Sequence, residues 1–188
     1  MNRYIHGGEG TAEQAAAAIG FAIYRTDEMA DLISYMRKYN ETAKAGDDLR
    51  FYGFDMQNWS YNLQYLTEAC KASGIDVTEL KKLEDNDEAD GGYDIEEQTR
   101  IIMEIKKELQ ESDAKDIKQA DHLADTLLQN ISLGKVIDSA VEGNALRDQR
   151  MAENVMWILS MEETTGECMY FYFRSQWTYR AVWKLWHG

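Results

Sequence analysis

Apolar residues recur at helical spacing along most of the chain, and that recurrence predicts its elements. The opening stretch MNRYIHGGEG, residues 1–10, holds three glycines and no apolar period, so it reads as a loop. The alanine-rich run from Ala12 to about Tyr24 reads as a helix, because alanine loses no side-chain freedom on entering one. Thr26 is placed to cap the next helix. Its hydroxyl can accept from free amides of the first turn, where Asp27 and Glu28 meet the positive end of the dipole. Met29, Leu32, Ile33 and Met36 then fall at i, i+3, i+4 and i+7, one apolar stripe that should end near Asn40.

The pattern changes at Leu49–Phe54. LRFYGF is short, rich in aromatics and flanked by Gly46-Asp47-Asp48 and Asp55, which predicts a strand. Helix resumes from about Asn58 to Ser73, with Gly74 suited to a left-handed cap, and again near Thr78–Leu83. The run DNDEADGGYD at 85–94 predicts a loop. Two long amphipathic helices follow, one through Ile95, Gln98, Ile102, Ile105 and Leu109, the other through Ile117, Ala120, Leu123, Ala124, Leu127, Leu128 and Ile131. A last helix, from about Ala145 to Glu162, turns Met151, Val155, Ile158 and Leu159 inward. The expected architecture is mainly α, with one or two short strands.

Composition narrows the function classes. The chain has 188 residues and no proline, which suits helices joined by short connections. Acidic residues outnumber basic ones 34 to 20, a formal charge of −14 that repels phosphate backbones and anionic membranes. Nucleic acid and membrane are therefore not expected partners. Cys70 and Cys168 lie far apart and in no metal spacing, and no signal peptide or long apolar run is present. Ordinary free thiols and a cytoplasmic location are expected.

The loop at 85–96 tests badly as a calcium site. Asp85, Asp87 and Glu96 match positions 1, 3 and 12 of an EF-hand loop, but Ala89 and Asp90 stand where a ligand and the turning glycine belong. His6, His122 and His187 have no metal spacing, and His122 reads as a surface residue of its helix. Asp55 is the stronger candidate, a carboxylate at the C-terminal end of the expected strand, where α/β folds place ligand sites; it also suits a cap on the next helix. Arg147, Met151 and Asn154 share one helix face at i, i+4 and i+7. That face fits a polar site or a buried structural ion pair.

Four segments, in order and spacing, resemble the erythromycin esterase family: MNRYIHGGEG at 1–10, TDEMADLISYMRKYNE at 26–41, RFYGFDMQ at 50–57 and RDQRMAENVMWI at 147–158. The last is the most specific, and the resemblance covers most of residues 1–169. It implies a hydrolase that opens an ester, in some members the lactone ring of a macrolide, without a metal or other cofactor. In the family a histidine near the N-terminus acts as general base on a water, assisted by acidic side chains, an arginine and a second histidine region. Carried onto this sequence, Arg147 and Asp55 take catalytic roles. Glu28, Gln57 and Asn154 take substrate-binding roles for a small ester or macrolide-like molecule.

The chain departs from the family at both ends. The Gly-Glu-x-x-His-Gly type motif and the later His-Asn-x-His motif are both missing. The resemblance therefore implies the helical portion of an α/β hydrolase, a truncated domain at 1–169 that is inactive alone; the alternative is a non-catalytic helical binding or scaffold module. Residues 170–188 break the pattern, with eight aromatics, three basic residues and no acid. They read as an aromatic element packed on the body, as an interfacial anchor, or as an out-of-frame terminus. Read one base later, Tyr170–Tyr179 permits Ile-Phe-Ile-Ser-Gly-His-Asn-Gly-His-Ile, the missing motif behind an apolar strand. Self-association through this tail is expected.

Overall fold

The computed structural model describes residues 1–85, 94–112, 117–136 and 138–162. The fold is mainly α. In chain order the helices are α1 (Asn2–Ile5), α2 (Ala12–Ala17), α3 (Asp27–Asn40), α4 (Trp59–Ala72), α5 (Thr78–Asp85), α6 (Ile95–Glu111), α7 (Ile117–Gly134) and α8 (Ala140–Glu162), with a 3-10 turn at Ala22–Tyr24. Residues 86–93 of the loop expected at 85–94, and the tail at 170–188, lie outside the described residues.

Helices α4–α7 enclose one apolar interior. Leu63, Leu66 and Cys70 of α4 meet Leu80 and Leu83 of α5, Ile101, Ile102, Ile105 and Leu109 of α6, and Ala120, Ala124 and Leu127 of α7. Each helix puts these residues on one face, and the small Ala120 and Ala124 let α7 lie close to its neighbours. Leu66, Leu109 and Leu127 are wholly buried, and each such leucine stabilises the fold by about 1.5–3 kcal/mol relative to exposure. The cap after α4 sets the next direction. Gly74 takes φ 75°, its amide donates to the Lys71 carbonyl, and the Ile75 amide donates to the Cys70 carbonyl at 2.9 Å. This is a Schellman turn, as the glycine suggests.

A second apolar cluster joins α1, α2 and α3 through Ile5, Ala12, Ala15, Ala16, Ala30, Ile33 and Met36, with Leu49 and Phe51 packed against it. Thr26 caps α3 by accepting from the Met29 amide. Two expectations change here. Residues 2–5 form a helical turn rather than loop, and the alanine helix stops at Ala17, before Gly20. Gly20 has φ 91°, and a Cβ there would stand 2.6 Å from the Tyr61 ring, so the chain turns where α4 approaches too closely for any side chain.

The expected strand at Leu49–Phe54 is not a strand. The segment is extended, but the described residues hold no neighbouring strand for it to pair with. Asparagine side chains take that place. Asn40 accepts from the Leu49 amide at 2.7 Å and donates to its carbonyl at 2.9 Å. Asn2 does the same for Phe51, at 2.7 and 2.8 Å. Further along, Asn154 donates to the Phe54 carbonyl and Asn130 to that of Met56, both at 2.9 Å. Leu49 and Phe51 present their backbone groups to the helices α1 and α3, whereas Phe54 and Met56 present theirs to α7 and α8. The alternation of an extended chain thus lets one segment stitch the N-terminal helices to the C-terminal ones.

Candidate functional site

Asp55 and Arg147 meet where the extended segment reaches α8. An Arg147 Nη2 donates to Asp55 Oδ2 at 2.5 Å and Nε lies 3.5 Å from Oδ1, a two-point contact between side chains that are both partly exposed. Asp55 Oδ1 also accepts from the Gln57 amide at 3.2 Å, which turns the chain toward α4, while Asn58 is the residue that caps α4 by accepting from the Tyr61 amide. Two turns along α8, Asn154 is almost fully buried. Its amide donates to Phe54 and forms a reciprocal pair with Gln129, both bonds 2.9 Å. Met151, between them on the same face, is buried. Arg147, Asn154, Asp55 and the Gln57 backbone are therefore brought together.

Glu28 is not. It stands exposed in the first turn of α3, where its own backbone amide and the Thr26 hydroxyl hold its carboxyl below the usual range. That is the chemistry of a helix start. The Gln57 side chain is likewise exposed, and Gln57 contributes its main chain: the amide donates to Asp55, and the carbonyl accepts from Asn130 at 3.3 Å and from the Trp59 amide at 3.2 Å.

Beside this centre a cleft of about 380 Å³ opens between α7 and α8, lined in part by His122, Gln129, Arg150, Glu153, Asn154 and Trp157. His122 is not the surface residue its sequence suggests. Its ring stacks on Trp157 at 3.7 Å with the planes 4° apart, a partner 35 positions away that helical spacing cannot reveal. Burial pushes its pKa down to about 4, so the imidazole is neutral at pH 7. Arg150 donates to Glu153 at 2.7 Å, while its buried Nε lacks a partner among the described residues.

A separate polar cluster ties α1 to the beginning of the extended segment. His6 Nε2 lies 2.9 Å from Asp48 Oδ2 and His6 Nδ1 lies 2.8 Å from the Asn2 carbonyl. Arg50 donates to the same Asp48 oxygen and, at 3.2 Å, to Glu162, which also accepts from the Tyr52 hydroxyl. Cys70 is buried, and burial pushes its thiol up to about 11, so it stays protonated and unreactive at pH 7.

The erythromycin esterase family model matches residues 1–171. The chain belongs to the erythromycin esterase family. Compared with curated proteins and with solved structures, it matches none. The family match spans every segment that carries the resemblance in sequence, including both partners of the Asp55–Arg147 pair. Sequence reasoning overlooked the side chains that hold the extended segment and Asn154 in place. Asn2, Asn40, Asn130 and Gln129 are single polar residues on helices, with no periodic or motif signal, and only the fold reveals what each amide faces. Among the described residues no helix is long and apolar enough to cross a membrane.

Proposed function

We propose that the chain binds and polarises an ester of the kind its family name denotes, without turnover of its own, with the Asp55–Arg147 pair as its polar centre. The observation that carries this reading is the two-point contact that fixes the guanidinium at the end of the extended segment. Held in that way, Arg147 directs its remaining N–H donors at a fixed place. A carbonyl oxygen gaining negative charge there is stabilised, and one well-aimed donor lowers such a barrier by roughly 2.7–4 kcal/mol. Asp55 is the orienting carboxylate, and Asn154 holds the backbone beside it. Glu28 stands exposed at the start of α3, apart from this pair.

Neither described histidine is hydrogen-bonded to the Asp55–Arg147 pair. His6 lies between the Asp48 carboxylate and the Asn2 carbonyl, and His122 is stacked on Trp157. The chain therefore binds and polarises an ester, and the cleft beside Asn154 favours a binding module as the second reading. Calorimetry with erythromycin and with a simple aryl ester, alongside a hydrolysis assay, tests this. Saturable binding without turnover is expected, weakened roughly tenfold in Arg147→Ala, the worth of one charged hydrogen bond. Binding indifferent to Arg147→Ala removes the centre from the proposal. Turnover that disappears in Arg147→Ala keeps the centre and overturns the claim that no base serves it.

A further inference from the structure

The surroundings of His6 dictate its protonation. One ring nitrogen faces a main-chain carbonyl oxygen at 2.8 Å and the other a carboxylate oxygen at 2.9 Å. Both neighbours are acceptors only, so both contacts are hydrogen bonds only when both nitrogens carry protons. A neutral imidazole has one N–H. Whichever tautomer forms, a lone pair then points at an oxygen, and one of the two contacts turns repulsive. Proton transfer to Asp48 is no remedy, because Arg50 Nε donates to the same Oδ2 at 3.0 Å and favours the ionised carboxylate.

We propose that His6 is a pH-titrated latch: its imidazolium fastens α1 to the beginning of the extended segment, and loss of one proton loosens that end. The fastening matters because of what lies next to it. The Asn2 carbonyl is one acceptor of the His6 ring, and the Asn2 side chain closes both backbone groups of Phe51. Asp48 directly precedes Leu49, whose groups are closed by Asn40.

The charged and polar groups around α1 agree with a cation at this place. From the extended segment come Asp48, which attracts, and Arg50, which opposes. From α3, Arg37 donates to the Tyr4 and Gly8 carbonyls and Asn40 to the Ile5 carbonyl, so they consume main-chain acceptors and leave that of Asn2 to the histidine. Hydrogen bonds to Asp48 and to Asn2 raise the pKa of His6 above its ordinary 6.5.

The sign follows. A pKa raised in the folded state adds stability that is fully present below pH 6.5 and fades as pH rises through the folded value. The side chains of His6 and Asp48 are 38% and 24% exposed, so solvent screens the pair. Its effect is about twofold to fivefold in local opening, the range of an exposed ion pair.

The test is nuclear magnetic resonance on the full chain from about pH 5 to about pH 9, a span that brackets histidine titration. It follows the His6 ring and the hydrogen-exchange protection factor of the Phe51 amide. His6 should titrate above 6.5, and Phe51 protection should fall about twofold to fivefold through that midpoint. In Asp48→Asn the midpoint should move back toward the ordinary value. In His6→Gln, which keeps a neutral hydrogen-bonding side chain, Phe51 protection should no longer follow pH. A His6 midpoint at or below the ordinary value overturns the latch. So does Phe51 protection that ignores the titration, or that keeps the same pH dependence in His6→Gln.

Discussion

In the α4–α7 cluster, every helix sends apolar side chains at helical spacing into one interior. Residues 49–57, by contrast, cross from α3 to α8 as an extended chain whose backbone is closed by asparagine amides from α1, α3, α7 and α8. The first arrangement tolerates local error, since apolar contact has no direction and many neighbours share it. The second is directional: each amide faces one or two backbone groups, and removing it strands them. The candidate site sits at the end of the directional element. Its precision therefore depends on single side chains far apart in sequence, while the bulk of stability comes from the cluster that holds no site residue.

The largest separation between the two regions should come from Leu66→Ala. Leu66 is wholly buried in the cluster, and such a deletion costs about 2–5 kcal/mol through lost burial and the cavity left behind. Chemical denaturation should record that loss as global unfolding. Should exchange show only the extended segment opening, the cluster is not what carries the fold.

Asn40→Ala should cost less and act more locally, about 1–3 kcal/mol, because it strands the Leu49 amide and carbonyl and removes a donor to Ile5. Exchange should rise at Leu49 and Phe51 while α6 and α7 keep their protection. Loss of protection throughout would mean that the two regions open as one unit.

Much of the helical fold is legible in the sequence. Apolar spacing identified α3, α6 and α7, and Thr26 marked the start of α3 and Gly74 the end of α4, because caps and stripes are local chemistry. α8 begins five residues earlier than its spacing suggests, at Ala140. Ser139 Oγ accepts from the Glu142 amide and starts the helix, and Gly143 within that turn hid the signal. The extended segment misled for a different reason. Its aromatic, alternating residues satisfy every local preference of a strand, but strand pairing is decided by what lies alongside, and here that is four asparagines. Arg147 and Asn154 were legible as one face of a helix. Asp55 was legible by itself, from its place at the end of the extended segment and from the family resemblance, but nothing in the sequence joined it to that face, 92 positions away.

A pH effect should distinguish the cleft from the latch at His6. The folded pKa of His122 is about 4 against an ordinary 6.5. Between those values the unfolded chain binds more protons, so stability should rise with pH up to 6.5 and then level off. His122 is only partly buried, so the effect should be on the order of 1 kcal/mol after solvent screening. Denaturation midpoints across that range should show the slope in the wild type and lose it in His122→Gln. A slope unchanged by the substitution would assign the effect to other groups, and a slope of opposite sign would contradict the burial of the ring.

The smallest expected effect is at the candidate site itself. The Asp55 and Arg147 side chains are 21% and 28% exposed, so solvent screens their attraction even at 2.5 Å. A double-mutant cycle with Asp55→Asn and Arg147→Gln should give a coupling of about 0.2–1 kcal/mol. These replacements keep polar side chains of similar reach and leave the asparagine clamps in place, so the extended segment should hold its course. A small coupling beside a large loss of ester binding in Arg147→Gln would mean that this pair is kept for function rather than for folding. A coupling above about 3 kcal/mol, the scale of a buried pair, would instead make the pair a structural pin. The contrast between a fold held by apolar helices and a site held by polar contacts would then fail at the place where it matters most.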